Sequence, residues 1–292
     1  MADATAWRLA LAQRIAAAYA RQPNAQVVMV AGSVGRGRAD RYSDIEIDVY
    51  YARPPTEQER IAAVEACSGV VEALAEDDDE WEEQMLLDGF HAASSTFLMA
   101  TMERYLTEVV DRAEIAPAAQ VRLSSLQHAI PVKGHEQVEL WRAKAAHYPD
   151  ELVYAMLREN LPFDGFWYAE EMLAARDDLL LLYHLFVKVE QQIIGALLGL
   201  NRIYLPTPSH MKWMDEMIAA MTIKPPDLSA RLKHAFHTAP LAGVQTLKAV
   251  IAETLTLVET DLPTFDTTPY RDNLKRVRPV WDAPPPSLGL DG

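Results

Sequence analysis

Residues 27–50 read Val27-Val28-Met29-Val30-Ala31-Gly32-Ser33-Val34-Gly35-Arg36-Gly37-Arg38-Ala39-Asp40-Arg41-Tyr42-Ser43-Asp44-Ile45-Glu46-Ile47-Asp48-Val49-Tyr50. The apolar run Val27 to Val30 is a buried strand by composition. It ends in Gly-Ser, where the backbone can turn sharply and approach a ligand closely. Three glycines leave backbone N–H groups free to face an anion, and Arg36, Arg38 and Arg41 add positive charge beside them. After the loop, Ile45, Ile47 and Val49 alternate with Asp44, Glu46 and Asp48, which makes a second strand with its acids on one face. Asp44 and Glu46 then stand about 6–7 Å apart at the backbone. Two like charges held that close are costly unless a cation neutralises them. A hard divalent ion with oxygen ligands, Mg²⁺, does so and bridges carboxylates to nucleotide phosphates.

This segment resembles the signature of the DNA polymerase β-like nucleotidyltransferase superfamily: an apolar strand, Gly-Ser, a loop, then Asp-x-Asp/Glu in an apolar strand. The form here, from Gly32-Ser33 through Tyr42-Ser43-Asp44-Ile45-Glu46, is similar to stand-alone bacterial members with a helical C-terminal domain, antibiotic nucleotidyltransferases among them. The resemblance implies an α+β fold, with a small mixed sheet flanked by helices at the N-terminus and an all-α helical bundle after it. It implies that Gly32 and Ser33 hold the triphosphate of ATP or another nucleoside triphosphate, with Gly35, Arg36 and Ser43 in the same nucleotide-binding loop. It implies that Asp44 and Glu46 bind two Mg²⁺ ions. A third carboxylate from a later strand would act as general base.

That third acid is not evident. The strand expected to carry it, Phe90-His91-Ala92-Ala93-Ser94-Ser95-Thr96-Phe97, has none. Asp48, on the face of Asp44 and Glu46, and His91 are the substitutes at hand. Further on, Ala175-Arg176-Asp177-Asp178, Leu200-Asn201-Arg202-Ile203-Tyr204-Leu205-Pro206 and Ser209-His210-Met211-Lys212-Trp213 resemble stretches of the same relatives. Lys212, near a helix start capped by Ser209, is placed to reach a phosphate; Arg176 and Asn201 either contact substrate or tie helices together.

The function expected is transfer of a nucleoside monophosphate to a hydroxyl or phosphate of a small acceptor, with release of pyrophosphate. The acceptor is expected between the sheet and the helical domain. The alternative is a catalytically weakened nucleotide-binding or regulatory module, such as a toxin–antitoxin component. A net charge of −15 argues against a nucleic-acid backbone as partner and suits a cationic acceptor of the aminoglycoside kind. The single cysteine, Cys67, excludes an internal disulfide. Residues 5–20 carry Arg8 and Arg14 rather than a continuous apolar core, so no signal peptide is read there. The longest apolar run, Leu179 to Leu182, is far too short to span a membrane. A cytoplasmic location is expected, and the oligomeric state, monomer or homodimer, is left open.

Helices are expected over residues 4–21 and 56–67, the second with Thr56 and Glu59 as capping box. Asp88-Gly89 reads as a hairpin turn between weak strands 84–87 and 90–97, and Glu76 to Glu83 as a solvated turn or edge. From residue 99 onward the periodicity is helical, including one continuous helix over 166–200 and another over 209–221. This places a catalytic domain at 1–115, a helical domain at 116–265 and a loosely packed tail at 266–292.

Overall fold

A computed structural model describes residues 4–78, 80–207 and 214–279. It is a mixed α+β protein with a six-stranded sheet. The chain divides into two compact units, Met1–Leu152 with Tyr204–Pro208, and Val153–Ile203 with Ser209–Gly292.

The first unit opens with α1 (Ala4–Ala20), rich in the strong helix former alanine. There follow β1 (Ala25–Val30), a single turn α2 (Gly32–Gly35), β2 (Ile45–Tyr51), α3 (Glu57–Ala66), β3 (Val70–Asp77), β4 (Glu80–Leu87) and β5 (Phe90–Leu98). Then come α4 (Met99–Leu106), a π-helical turn (Thr107–Asp111), α5 (Pro117–His128), β6 (Ile130–Lys133) and α6 (His135–Ala145). The sheet order is β3-β4-β5-β2-β1-β6. Only β2 and β5 run parallel, Glu46 facing Ala93 and Asp48 facing Ser95; the other four pairings are antiparallel. The Thr56–Glu59 capping box forms as expected. Asp88 and Gly89 both take positive φ, 50° and 80°, the twist a two-residue β4–β5 hairpin requires.

The alternation of β2 sorts the sheet into two faces. Ile45, Ile47 and Val49 point into one core with Ala12, Ile15, Ala16 and Tyr19 of α1 and Ala63 and Val64 of α3. Within that core lies a buried polar cluster: Glu83 accepts from Arg60 Nε at 2.5 Å and from the Tyr19 hydroxyl at 3.3 Å, and Ser94 bonds it as well. Tyr50, on the opposite face, packs between the rings of Phe97 and Trp141.

Three expectations change here. The boundary at residue 115 falls inside the first unit, because β6 adds to the sheet beside β1; a strand of four residues interrupted by Pro131 gives little periodicity. β3 was not anticipated, because its outward alanines and glutamates carry no apolar alternation. The acidic run Glu76 to Glu83 is not simply a turn: apart from the tip around Asp78, it belongs to β3 and β4, with Trp81, Met85 and Leu87 turned inward.

The second unit takes over within α7 (Asp150–Asn160) and contains α8 (Leu179–Leu200), α9 (Met214–Ala220), α10 (Leu228–His237), α11 (Pro240–Asp261) and α12 (Thr268–Lys275). Helices α8 and α11 pack on each other, so closely at Gly243 of α11 that a Cβ there would lie 2.8 Å from the Phe186 ring of α8. Both are long and apolar enough to cross a membrane by length and composition, about half of each apolar window being buried in the protein. The single helix expected over 166–200 is instead short 3₁₀ and π-helical turns, Phe166–Tyr168 and Ala169–Ala174, followed by a break. Asp177 at φ 57° cannot continue a right-handed helix. The start of the expected tail is packed rather than loose: Thr267 is buried, and Arg271 Nε on α12 donates to Glu259 Oε1 on α11 at 2.8 Å.

Candidate functional site

The turn after β1 and the start of β2 are built against one another. Ala31 N donates to Glu46 O at 2.9 Å, carrying the β1–β2 pairing to its limit. Gly32 follows at φ +59°, and a Cβ there would lie 2.1 Å from Glu46 Oε2. Only glycine lets the backbone turn in this conformation with a carboxylate lying on its Cα. The turn closes through Gly35 N to Ala31 O at 2.9 Å, Arg36 N to Gly32 O at 3.1 Å and Arg38 N to Ser33 O at 2.8 Å. The first amides of such a turn, those of Gly32, Ser33 and Val34, have no carbonyl partner within it. Gly35 serves packing instead: a Cβ there would meet Val30 O at 2.6 Å.

Along β2 the three acids differ. Asp44 is exposed, Glu46 is half-buried and Asp48 is 2% exposed. Asp48 is not available as a helper. Helix α5 covers it, with Arg122 Nη1 at 3.5 Å and the Ser125 hydroxyl donating at 3.2 Å. Arg122 also holds Glu80 at 2.8 Å and lies over the Phe97 ring. Burial raises the Asp48 carboxyl above its ordinary value while Arg122 and Ser125 oppose that. The Arg122 guanidinium moves up, because Asp48, Tyr50 and Glu80 together outweigh its own burial. The two shifts pull the proton in opposite senses; with two donors on the carboxylate, the ionised pair is the state that fits.

The register explains the missing third acid. Opposite Glu46 and Asp48 on β5 stand Ala93 and Ser95, and beyond them on β4 stand Gln84 and Glu82. Glu82 therefore shares the face of Asp48, two strands and about 10 Å away, and accepts from Gln84 Nε2 at 2.8 Å. Sequence reading missed it because residues 76–83 looked like a solvated acidic run; the signal was the inward alternation Trp81, Glu83, Met85, Leu87. His91 shares the parity of Ala93 and so the face of Glu46; its Nδ1 lies 2.8 Å from Glu72 Oε2, with the His91 side chain largely in solvent and that of Glu72 about a third exposed. Among the described residues no group of three or more His, Cys, Asp or Glu is arranged to hold a metal ion. The residues that would hold a Mg²⁺ ion are Asp44 and Glu46, a donor set of the kind that acts together with substrate phosphates. They do not supply the full set expected for two ions.

Of the basic residues, Arg36 is drawn inward and its Nη2 donates to Ser124 Oγ at 3.1 Å. Its guanidinium is pushed below its ordinary value by burial and by Arg38, with Glu46 acting the other way. Ser43 is bonded within the loop: its hydroxyl accepts from Asp40 N at 2.9 Å and donates to Asp40 Oδ1 at 3.1 Å, and its carbonyl accepts from Arg8 Nε at 2.8 Å. These bonds shape the loop that delivers Asp44.

The remaining expected residues are in the second unit. Asn201 is a structural hub: its amide donates to Leu197 O and Ile223 O, and its oxygen accepts from Thr222 N and Ile223 N at 2.8 and 2.9 Å. Arg176 is exposed in the break before α8. Lys212 lies outside the described residues. A hollow of about 650 Å³ in the first unit, lined by Asp77, Asp78, Glu80, Thr101, Arg104 and Tyr105, is at the other end of the strands from Asp44.

No family model matches the sequence, and no curated protein matches it. Among solved structures, a nucleotidyltransferase-like protein from Exiguobacterium sibiricum 255-15 is similar at 10% identity and a TM-score of 0.42, over 86% of this chain and 74% of that one.

Proposed function

We propose that the first unit is a nucleotidyltransferase site. The observation that carries this reading is the contact of the Glu46 carboxylate with the Gly32 backbone. It sets a turn with open amides directly against a pair of acids, so that phosphate oxygens and a divalent cation can share one place. In this reading the amides at Gly32 and Ser33, with Arg36, hold the polyphosphate, and Asp44 and Glu46 hold Mg²⁺. The bound ion would neutralise charge on the phosphate oxygens. An acceptor hydroxyl attacks the α-phosphorus, the new P–O bond forms, and the bond to pyrophosphate breaks. The hydroxyl proton needs a base, and Glu82 and His91, the latter oriented by Glu72, are the groups on that face. The acidic surface favours a small, cationic acceptor over a nucleic acid.

A second reading has its own observation. With Ala93 and Ser95 where a third carboxylate would stand, and Asp48 committed to Arg122, the site has the parts to bind a nucleotide and fewer parts to react it. It would then be a nucleotide-binding or regulatory module. The test is Mg²⁺-dependent pyrophosphate release with each nucleoside triphosphate and a panel of hydroxyl and phosphate acceptors, set against the Asp44→Asn, Glu46→Gln double variant. Release by the wild type alone supports the enzyme. Mg²⁺-dependent ATP binding with no release on any acceptor rejects it in favour of the binding module.

A further inference from the structure

Like charges placed directly opposite one another on neighbouring strands destabilise a sheet. The β3–β4 hairpin ends on such a pair, with Asp77 facing Glu80 across the ladder. Asp78, in the turn, adds a third acid. All three line the hollow of about 650 Å³ at the far end of the strands, and Thr101, Arg104 and Tyr105 of α4 form its other wall. Glu80 is level with Tyr50, four residues along β2 from Glu46. The hollow therefore stands about 13 Å from Glu46 along the strand direction alone, and a ligand there does not depend on a nucleotide at the Gly32 turn.

The cations nearby do not cancel these acids. Arg122 is shared between Glu80 and the buried Asp48, at 2.8 and 3.5 Å. Arg104 pairs with Glu108 at 3.2 Å and lies over the Tyr105 ring. Five carboxylates, those of Asp48, Asp77, Asp78, Glu80 and Glu108, thus stand against two guanidinium groups. The Asp77 and Asp78 side chains form no hydrogen bond or ion pair among the described residues.

Thr101 points to a ligand independently of the charge. It lines the hollow at 4% exposure, and its hydroxyl makes no hydrogen bond among the described residues. Thr107, just past the end of α4, shows the usual alternative: its hydroxyl donates to Glu103 O at 3.0 Å. A hydroxyl withdrawn from water without a partner costs free energy, and a donor entering the hollow would satisfy it.

The volume is that of a small-molecule site and far exceeds the room one ion or water needs. Among the described residues no three acids are arranged to hold one metal ion, so charge spaced along a molecule suits this wall better than charge at a point. We propose that the hollow between the β3–β4 hairpin and α4 binds a small organic polyamine. Its ammonium groups lie against Asp77, Asp78 and Glu80, and one N–H is donated to the Thr101 hydroxyl.

The experiment is calorimetric titration of the full chain with spermidine. Asp77→Asn with Asp78→Asn is expected to bind it roughly tenfold more weakly. Asp44→Asn with Glu46→Gln removes the same number of charges from the chain and is expected to bind spermidine like the wild type, whatever it does to nucleotide binding. Thr101→Val is expected to bind roughly fivefold more weakly, and Thr101→Ser, which keeps the hydroxyl, to stay near the wild type. No binding by the wild type, equal weakening in the two double variants, or a Thr101→Val that binds as tightly as the wild type overturns the proposal. Equal weakening would reduce the binding to general attraction toward a chain of net charge −15. Displacement of spermidine by an equal concentration of Ca²⁺ also overturns it, in favour of a metal held by the same acids.

Discussion

Glu46 and Asp48 stand two residues apart on one strand and one face, and their surroundings share almost nothing. Glu46 lies half-open against the Gly32 turn, where a ligand can reach it. Asp48 lies under α5, held by Arg122 and Ser125, with nothing left to offer. Strand alternation decides which face a side chain takes. The helix laid across that face decides whether the side chain is a site or a buried ion pair. The division falls between these two residues because α5 lays Arg122 and Ser125 over Asp48, whereas its Ser124 holds Arg36 of the loop that follows the turn.

The sharpest way to break this comparison is to neutralise each end in turn. Asp44→Asn with Glu46→Gln removes the proposed cation ligands without disturbing the buried Asp48–Arg122 pair. Pyrophosphate release is expected to fall roughly a thousandfold or more, since such charge stabilisation is worth several kcal/mol, while the melting temperature stays near that of the wild type. Normal turnover in the double variant would remove the site from this strand. At the other end, Arg122→Ala strands a buried carboxylate. The expected loss is about 3–5 kcal/mol of unfolding free energy, with most of it restored in Arg122→Met, Asp48→Leu. A loss under about 1 kcal/mol in denaturant unfolding would mean that Asp48 is not buried as an ion.

How much of this was legible beforehand follows from the same distinction. The face of Asp44, Glu46 and Asp48 was readable, because period-two alternation is local. So were the Thr56–Glu59 capping box and the Asp88-Gly89 turn, each fixed by a few adjacent residues. The fate of Asp48 was not, because Arg122 and Ser125 lie far along the chain on a helix whose docking no local pattern records. Glu82 was hidden by its acidic neighbours, β6 by its brevity, and the break at Asp177 by the apolar residues on both sides of it. The resemblance put Ser43 in the nucleotide loop, and its bonds with Asp40, which shape that loop, come from a contact no pattern singled out.

The contact of Gly32 with Glu46 can be sharpened by comparing two glycines. Gly32→Ala forces a Cβ into Glu46 Oε2 and also takes on the strain of φ +59°. Gly37→Ala takes on similar strain at φ +68° with open space around it. Both are expected to lose about 1–2 kcal/mol of stability. Only Gly32→Ala should also weaken Mg²⁺-dependent nucleotide binding, by roughly tenfold for a displaced charged ligand. Equal affinity in the two variants would separate the turn from the acids.

Glu190 supplies the case between an open acid and a paired one. It sits on α8, 5% exposed, with burial alone raising its carboxyl from 4.5 to about 7. No hydrogen bond or ion pair to it is formed among the described residues. Its folded value lies above its unfolded one, so its contribution to stability is fully present below about 4.5 and is lost as pH rises through about 7. Glutamine carries no such penalty. Glu190→Gln is therefore expected to match the wild type in acid and to melt about 3 °C higher near pH 8: the full shift is worth about 3 kcal/mol, and relaxation and water entry around the ionised side chain leave roughly 1 kcal/mol of it. That would be the smallest of these effects, because an acid without a partner can take up a proton, whereas Asp48, held by Arg122 and Ser125, is fixed as an ion. A difference in melting temperature that is the same at both pH values would show that Glu190 does not titrate on unfolding, and that burial without a cation is not what sets its state.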